Sequence, residues 1–446
     1  MSALLKQRIG SGLTVAAKAA GVRIFDSQGR DYIDGSGGAM TVSIGHGVST
    51  VLAAIQRQAE AVCFTYRTQF TTEPAEQLAS ELTALAPEGI NAAFFVNSGS
   101  EATELAMRAA IQYWREVGQP GKTRILGRQI SYHGMTMGAL SMSGHPARRK
   151  DYGDLLHPFA VGPVADNWGR TAGERPNELE SSDAWDKAIA QAGADTVAAL
   201  IVEPVIGAAG GALVPPIGHL RMLRNVFDRN GILLITDEVI TGIGRTGTWF
   251  ASEHDGVVPD LIAVGKGMTS GYTPMGAVLF HDRIVEAMRQ GSGMAPFGHT
   301  FSGNPLSAAA SLAVLRYIRD NDVLANVKAR AAQLQAGLHD LQRRYTALQW
   351  VRGRGLLWGF DLRKPDPAAT ASTGALFAAD CFAEGLIVYP AGIAPRDHAA
   401  IVSPPLTITA NDMNDLLRRL EAGLRRFTAR AIPSDTRMPP TAATSH

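Results

Sequence analysis

The stretch Ile232-Leu233-Leu234-Ile235-Thr236-Asp237-Glu238 is an apolar run that stops at two carboxylates. A second run, Leu261-Ile262-Ala263-Val264-Gly265-Lys266-Gly267, stops at a lysine set between glycines. Both runs are too short for a helix, rich in aliphatic residues and closed by Gly or Asp, as strands buried on both faces are. Working outward, the same pattern recurs at residues 92–96, 125–126, 197–202 and 276–280. Amphipathic segments lie between them. Ala102, Leu105, Ala106, Ala109 and Tyr113 share one helical face, and Leu220, Leu223, Val226 and Phe227 share another. Strands and helices in alternation predict an α/β fold, with a central, mainly parallel sheet covered on both sides.

The ends read differently. Residues 22–25 and 31–34 flank Ser27-Gln28-Gly29, a hairpin signal. Beyond about residue 320 come a long helix, strands near 348–351 and 355–361, and a closing helix. That helix starts at Thr409 with Asp412 three residues on, a capping pattern, and its apolar face is Met413, Leu416, Leu417, Leu420 and Leu424. These signals divide the chain into a large domain at 56–318 and a smaller α+β domain built from both ends, 1–55 and 319–432. The remainder, 433–446, is rich in Pro, Ser and Thr and reads as a loose tail.

Composition excludes several classes. Lys+Arg 42 against Asp+Glu 41 leaves a net charge of +1, which gives no broad electrostatic footprint for nucleic acid or an anionic membrane. Cys63 and Cys381 are too few for a disulfide framework or a cysteine-rich metal site, and they fit a reducing compartment. The most apolar long stretch, 197–216, is broken by Glu203, Pro204, Pro215 and glycines, so it is no membrane helix. The first residues, MSALLKQRIGSG, lack the apolar region of a signal peptide, and the expected location is the cytoplasm.

Five segments could carry chemistry. Asn97-Ser98-Gly99-Ser100-Glu101 joins a strand to a helix start, where free N–H groups, hydroxyls and the helix dipole make an anion cradle or simply a cap. Asp237 and Glu238 need a cation or solvent at their strand end. Lys266, if desolvated, loses its proton more easily and becomes a nucleophile toward an aldehyde; otherwise it reaches solvent. Ser131-Tyr132-His133-Gly134 offers two rings in a glycine-bounded loop, and Gly298-His299-Thr300-Phe301-Ser302 offers hydroxyls before a helix. Neither His133 nor His299 has a second ligand at metal spacing, which leaves stacking or structural roles. Gly242-Ile243-Gly244-Arg245-Thr246-Gly247 matches G-x-G-x-x-G but neither follows a strand directly nor opens a helix, so a dinucleotide site is not expected. Together the set describes a lysine aldimine site. An amine nucleophile, a carboxylate for a ring nitrogen, rings for stacking and an anion cradle are what pyridoxal phosphate needs.

With those residues in place, the chain resembles the class III, or ω-type, aminotransferases of pyridoxal-phosphate fold type I. The likeness runs through residues 21–34, 97–104, 132–134, 202–204, 237–247, 259–278, 298–308, 354–356 and 403–406, and Lys266 stands 29 positions after Asp237. The resemblance implies that Lys266 carries the Schiff base and that Asp237 pairs with the pyridine N–H. It implies that Tyr132, with His133 beside it, and Val239 flank the ring. Ser98, Gly99 and Ser100 would hold the phosphate with Thr300 of a neighbouring subunit, and Glu203 would orient the groups around the ring. It further implies a homodimer or higher assembly with shared sites. Many members have Gln where this chain has Ile240, a variant that looks more like the ω-amino acid:pyruvate branch. Arg396, with Tyr66 and Arg67 at the entrance, is the candidate for the substrate carboxylate. The activity implied is transfer of an amino group from an amine or ω-amino acid to a 2-oxo acid such as pyruvate. An aminomutase or decarboxylase on the same scaffold is the alternative; a cofactor-binding regulator would need a basic helix-turn-helix that the sequence lacks.

Overall fold

In the computed structural model, which describes residues 3–6, 9, 12–163, 180–364, 372–393 and 397–430, one six-stranded sheet forms the centre. Its order is Ile90–Val96, Gly276–His281, Leu261–Val264, Leu233–Asp237, Val197–Val202 and Arg124–Leu126. The last four are parallel neighbours, while Gly276–His281 runs antiparallel to the strands on either side of it. Every residue of Val197–Val202, Leu233–Asp237 and Leu261–Val264 is buried, as the uninterrupted aliphatic runs require.

The two-residue period of a strand sorts those side chains to opposite faces. Ala199, Ile201, Leu233, Ile235, Leu261 and Ala263 pack with Ala102, Leu105, Ala106 and Ala109 of helix Gly99–Glu116. Leu200, Val202 and Leu234 pack on the other side with Leu220, Leu223, Val226 and Phe227 of helix His219–Arg229. Each fully buried Leu or Ile contributes about 1.5–3 kcal/mol, so this double cover holds the sheet rigid beneath the loops at its edge.

Both chain ends meet in a second, four-stranded sheet. The hairpin of Arg23–Asp26 and Asp31–Asp34 turns through Gly29 at φ 82°, and Leu386–Ile387 adds to it in parallel, Leu386 opposite Ile33. Arg23 ties the hairpin to the closing helix Ala410–Ala429 through Asp412 at 3.1 Å and Asp415 at 3.0 Å. Thr409 caps that helix as expected, its hydroxyl accepting from Asp412 N–H at 3.1 Å. Leu348–Arg354, Leu357–Leu362, Ala399–Val402 and Tyr389–Ala391 form a further sheet. Helix Thr373–Ala383 and the short strands around it were not expected. The helix is apolar on nearly every side and the strands are too short to establish a period. The segment Gly242–Gly247 is a turn with Ile243, Gly244 and Gly247 at positive φ, and no α-helix follows it, in keeping with the exclusion of a dinucleotide site.

Candidate active site

The loops that leave the C-terminal ends of the central strands converge, which is where α/β sheets bind ligands. Leu126 leads to Tyr132 and His133, Val202 to Glu203, Val264 to Lys266, and Val96 to Ser98. Asp237 is itself the last residue of its strand and sits opposite Ala263 of the lysine strand.

Asp237 is buried, and both its oxygens are engaged. Oδ2 lies 2.8 Å from His133 Nδ1, and Oδ1 accepts from Val239 N–H at 3.1 Å. The His133 ring is enclosed. Its backbone is fixed by Ser143 Oγ, which accepts from the N–H at 2.8 Å, and by Thr103 Oγ1, which donates to the carbonyl at 2.6 Å. His133 Nε2 has no hydrogen-bond partner among the described residues. With the Asp237 carboxylate accepting at Oδ2, the His133 ring donates through Nδ1. The sequence left His133 with a stacking or structural role; the structure gives it a direct bond to the key carboxylate.

Lys266 takes a left-handed backbone, φ 40°, which only glycine adopts freely. The surroundings enforce it. Ser43 Oγ donates to Gly267 O at 2.8 Å, and Ser270 Oγ accepts from the N–H groups of Ser43 and Ile44 at 2.9 and 3.0 Å. A segment near the N-terminus thus clamps the lysine turn. Burial lowers the Lys266 amine from 10.5 to about 8; Asp237 and Glu203 pull it back upward, and Arg148 pushes it further down. The amine therefore gives up its proton at a much milder pH than a free lysine would, and the neutral amine is the form that acts as a nucleophile.

Glu203 is buried and accepts from Tyr132 N–H at 3.0 Å and Gly207 N–H at 2.8 Å, so it holds the aromatic loop against its own strand. Its carboxyl is raised above the usual range, first by burial and also by Asp237, with His133 opposing. Behind it, Arg128 donates to the Glu203 carbonyl at 3.0 Å and to Glu180 Oε1 at 2.6 Å. This buried brace was not legible in the sequence. Ile240, the departure noted above, packs with Val205, Ala212 and Leu357 in an apolar cluster.

Ser98 caps helix Gly99–Glu116, its oxygen accepting from Glu101 N–H at 3.1 Å. The N–H groups of the first turn have no partner within the helix and carry the positive end of its dipole. A Cβ on Gly99 would lie 2.7 Å from Val239 Cγ1, and one on Gly134 would lie 2.6 Å from Ser100 Oγ. Gly265 packs beside them less tightly, its Cβ position 3.5 Å from Gly99 Cα and from Val239 Cγ1, an ordinary contact distance. Glycines thus bring the anion cradle, Val239, the Tyr132 loop and the lysine turn into one compact site. A phosphate acceptor, a paired carboxylate, an aromatic face and a depressed amine fit pyridoxal phosphate group by group.

Thr300, Tyr66 and Arg67 make no hydrogen bond, ion pair or ring contact with Lys266, Asp237 or Tyr132 among the described residues. Thr300 is exposed on a turn in the single chain. Tyr66 is exposed, and Arg67 stacks over Phe94 at 4.9 Å on a cavity of about 300 Å³ with Phe70 and Ser302. Arg396 lies outside the described residues. Among the described residues, no cluster of three or more His, Cys, Asp or Glu could hold a metal, and no helix is long and apolar enough to cross a membrane.

The site and its sheet define a pyridoxal-phosphate-dependent transaminase of fold type I, and the chain belongs to the class-III aminotransferases, whose sequence model matches residues 6–424. It is 36% identical over 427 residues to the putrescine–pyruvate aminotransferase of Pseudomonas aeruginosa, covering 92% of this chain and 90% of that one. It is 40% identical over 427 residues to an uncharacterized aminotransferase, YodT, of Bacillus subtilis, covering 93% and 96%. Among solved structures, an amine transaminase from an uncultivated Pseudomonas species in its cofactor-bound form superposes with a TM-score of 0.88 at 35% identity, over 96% and 98% of the two chains.

Proposed function

We propose that this aminotransferase moves an amino group from an amine or ω-amino acid to a 2-oxo acid, pyruvate first among them, in a ping-pong cycle. The observation that carries the reading is the amine of Lys266, lowered to about 8 and held in a strained turn beside the Asp237–His133 pair. Bound pyridoxal phosphate supplies an aldehyde for the amine and a protonated ring that takes up an electron pair. Asp237 keeps that ring nitrogen protonated, since a fixed carboxylate favours the cationic partner. His133 donates to Asp237 and holds its charge in place. Lys266 Nζ accepts the proton from the amine-bearing carbon and returns it in the same site, so nucleophile and proton carrier are one group. Tyr132 and Val239 flank the ring, and Ser98, Gly99 and Ser100 receive the phosphate. Pyruvate as acceptor is supported by the activity named for the Pseudomonas relative.

Thr300 completes the phosphate site of a second subunit in a homodimer. Exposed Phe70, Phe297 and Phe301, the last two flanking Thr300 in sequence, support a covered surface there. The unpaired thiols of Cys63 and Cys381 suit the cytoplasm. The deciding experiment is a screen of amines and ω-amino acids against pyruvate, 2-oxoglutarate and glyoxylate. Net transfer to an added 2-oxo acid supports the reading. Turnover of an amino acid without any such transfer would replace it by the aminomutase or decarboxylase alternative.

A further inference from the structure

We infer that Arg148 receives the carboxylate of the 2-oxo acid acceptor, from a position over the ring of Tyr132. The inference rests on the acceptor being a 2-oxo acid.

After Tyr132-His133-Gly134 the chain runs through helix Met137–Met142 and returns in the short turn Pro146–Arg149. That return sets the Arg148 guanidinium 4.3 Å from the centroid of the Tyr132 ring. Two adjacent arginines behave differently here. Arg149 Nη1 donates to the carbonyls of Leu140, Ser141 and Ser143 at 2.9, 2.8 and 3.0 Å, so it is committed to structure. Arg148 has no carboxylate at ion-pair distance among the described residues. It is half-buried, held by an aromatic face, and keeps a planar fork of donors that matches a carboxylate.

Its charge belongs to the site. Arg148 is one of the groups that lower the Lys266 amine, and it opposes the upward push of burial on the Tyr132 phenol. His145 meets the Tyr132 ring edge-on at 6.4 Å, and burial takes it down to about 4. At neutral pH it is therefore uncharged and does not compete with Arg148 for an anion. Tyr132 also packs in an apolar cluster with Ile130, Ile206 and Ile393. A short 2-oxo acid carries its carboxylate on the carbon next to the reacting carbonyl, so it needs a cation beside the ring and an apolar wall for the remaining substituent. Tyr132 has both as neighbours. An amine without a carboxylate has no anion to present, and with it the guanidinium keeps the aromatic face as its partner.

The test uses the holoenzyme and follows each half-reaction through the cofactor's absorbance, with pyruvate for one and an alkylamine that lacks a carboxylate for the other. Arg148→Gln should lower kcat/KM for pyruvate by about 10- to 100-fold, the worth of a charge-assisted pair, and that for the amine less than about threefold. Arg148→Lys, which keeps the charge and loses the fork, should recover part of the pyruvate half-reaction. Equal losses in both halves, or no loss in either, would overturn the assignment. So would a selective loss of the pyruvate half-reaction in Arg396→Gln with Arg148→Gln unaffected. A wild-type enzyme that transfers to none of pyruvate, 2-oxoglutarate and glyoxylate would remove the 2-oxo acid reading itself, and this inference with it.

Discussion

Two neighbouring strands of the same sheet end in opposite charges, and the two ends are built in opposite ways. Leu233–Asp237 ends in a carboxylate with both oxygens bonded, to His133 and to Val239 N–H. Leu261–Val264 leads to a lysine in a strained turn whose clamps fall on Gly267 and Ser270 rather than on the amine. The first arrangement fixes a charge. The second fixes a backbone and leaves the head group able to move. A group that must hold one charge through a reaction belongs in a bonded network. A group that must give up a bond and carry a proton belongs on a rigid base with a free end. Glu238, next to Asp237, marks the limit of the comparison: it accepts from Thr241 Oγ1 and from the N–H groups of Ala251 and Ser252, and it serves only the loop.

The sharpest break in this comparison is Lys266→Ala. It removes nucleophile and proton carrier together, so turnover should fall by about four orders of magnitude while pyridoxal phosphate still binds without a covalent link. In the wild type, borohydride should fix the cofactor to Lys266, read by peptide mass. Attachment at another lysine would put the moving partner elsewhere.

Asp237→Asn comes next. It keeps size and most hydrogen bonds but removes the fixed charge, so kcat should fall by about 100- to 1000-fold with the fold intact. A variant that turns over at nearly the wild-type rate would show that the charge at this strand end is not what the chemistry uses.

Both partners of the comparison could be read from sequence because each ends an aliphatic run too apolar to carry a charge without purpose. The six strands, the Gly99–Glu116 helix and the cap at Thr409 were legible for related reasons: one face or both faces buried leaves a period or an uninterrupted run. What stayed hidden depended on distant partners. His133 looked like a ring in a loop, and nothing near it in sequence signals a carboxylate 104 positions away. Arg148 and Arg149 are indistinguishable as residues, and only the returning turn separates them. Helix Thr373–Ala383 shows no polar stripe because its exposed face carries Ala375, Ala379 and Phe382. Tyr66 and Arg67 were placed at the entrance by resemblance, and the stacking of Arg67 over Phe94 is a further contact that sequence spacing does not signal.

A smaller effect tests whether the bonded end needs its bond. His133→Phe keeps a ring of similar shape and deletes the donor to Asp237. Because Nε2 already lacks a partner, the far edge of the ring loses nothing. The remaining cost is one charge-assisted hydrogen bond, so kcat should fall by about tenfold with little change in melting temperature. An unchanged kcat would mean that Asp237 holds its charge without His133, and that the histidine merely fills space.

The finest test concerns the free end. The Lys266 amine at about 8 is a balance in which burial lowers it while Asp237 and Glu203 raise it. Two backbone N–H groups donate to Glu203 and favour its ionised form, against the upward push of burial. Glu203→Gln removes that negative charge yet leaves an oxygen to accept one of those bonds. With one upward pull gone, the amine should lose its proton at lower pH. Only the neutral amine attacks an aldehyde, so the rate at which the apoenzyme takes up pyridoxal phosphate covalently should rise with pH through about 8 in the wild type. In the variant the midpoint should lie below that. Stopped-flow absorbance across a pH series reads both midpoints. A midpoint that stays put would show Glu203 to be protonated and electrically silent. One that moves upward would mean that its carboxylate raises the amine less than the altered Tyr132 loop exposes it to water.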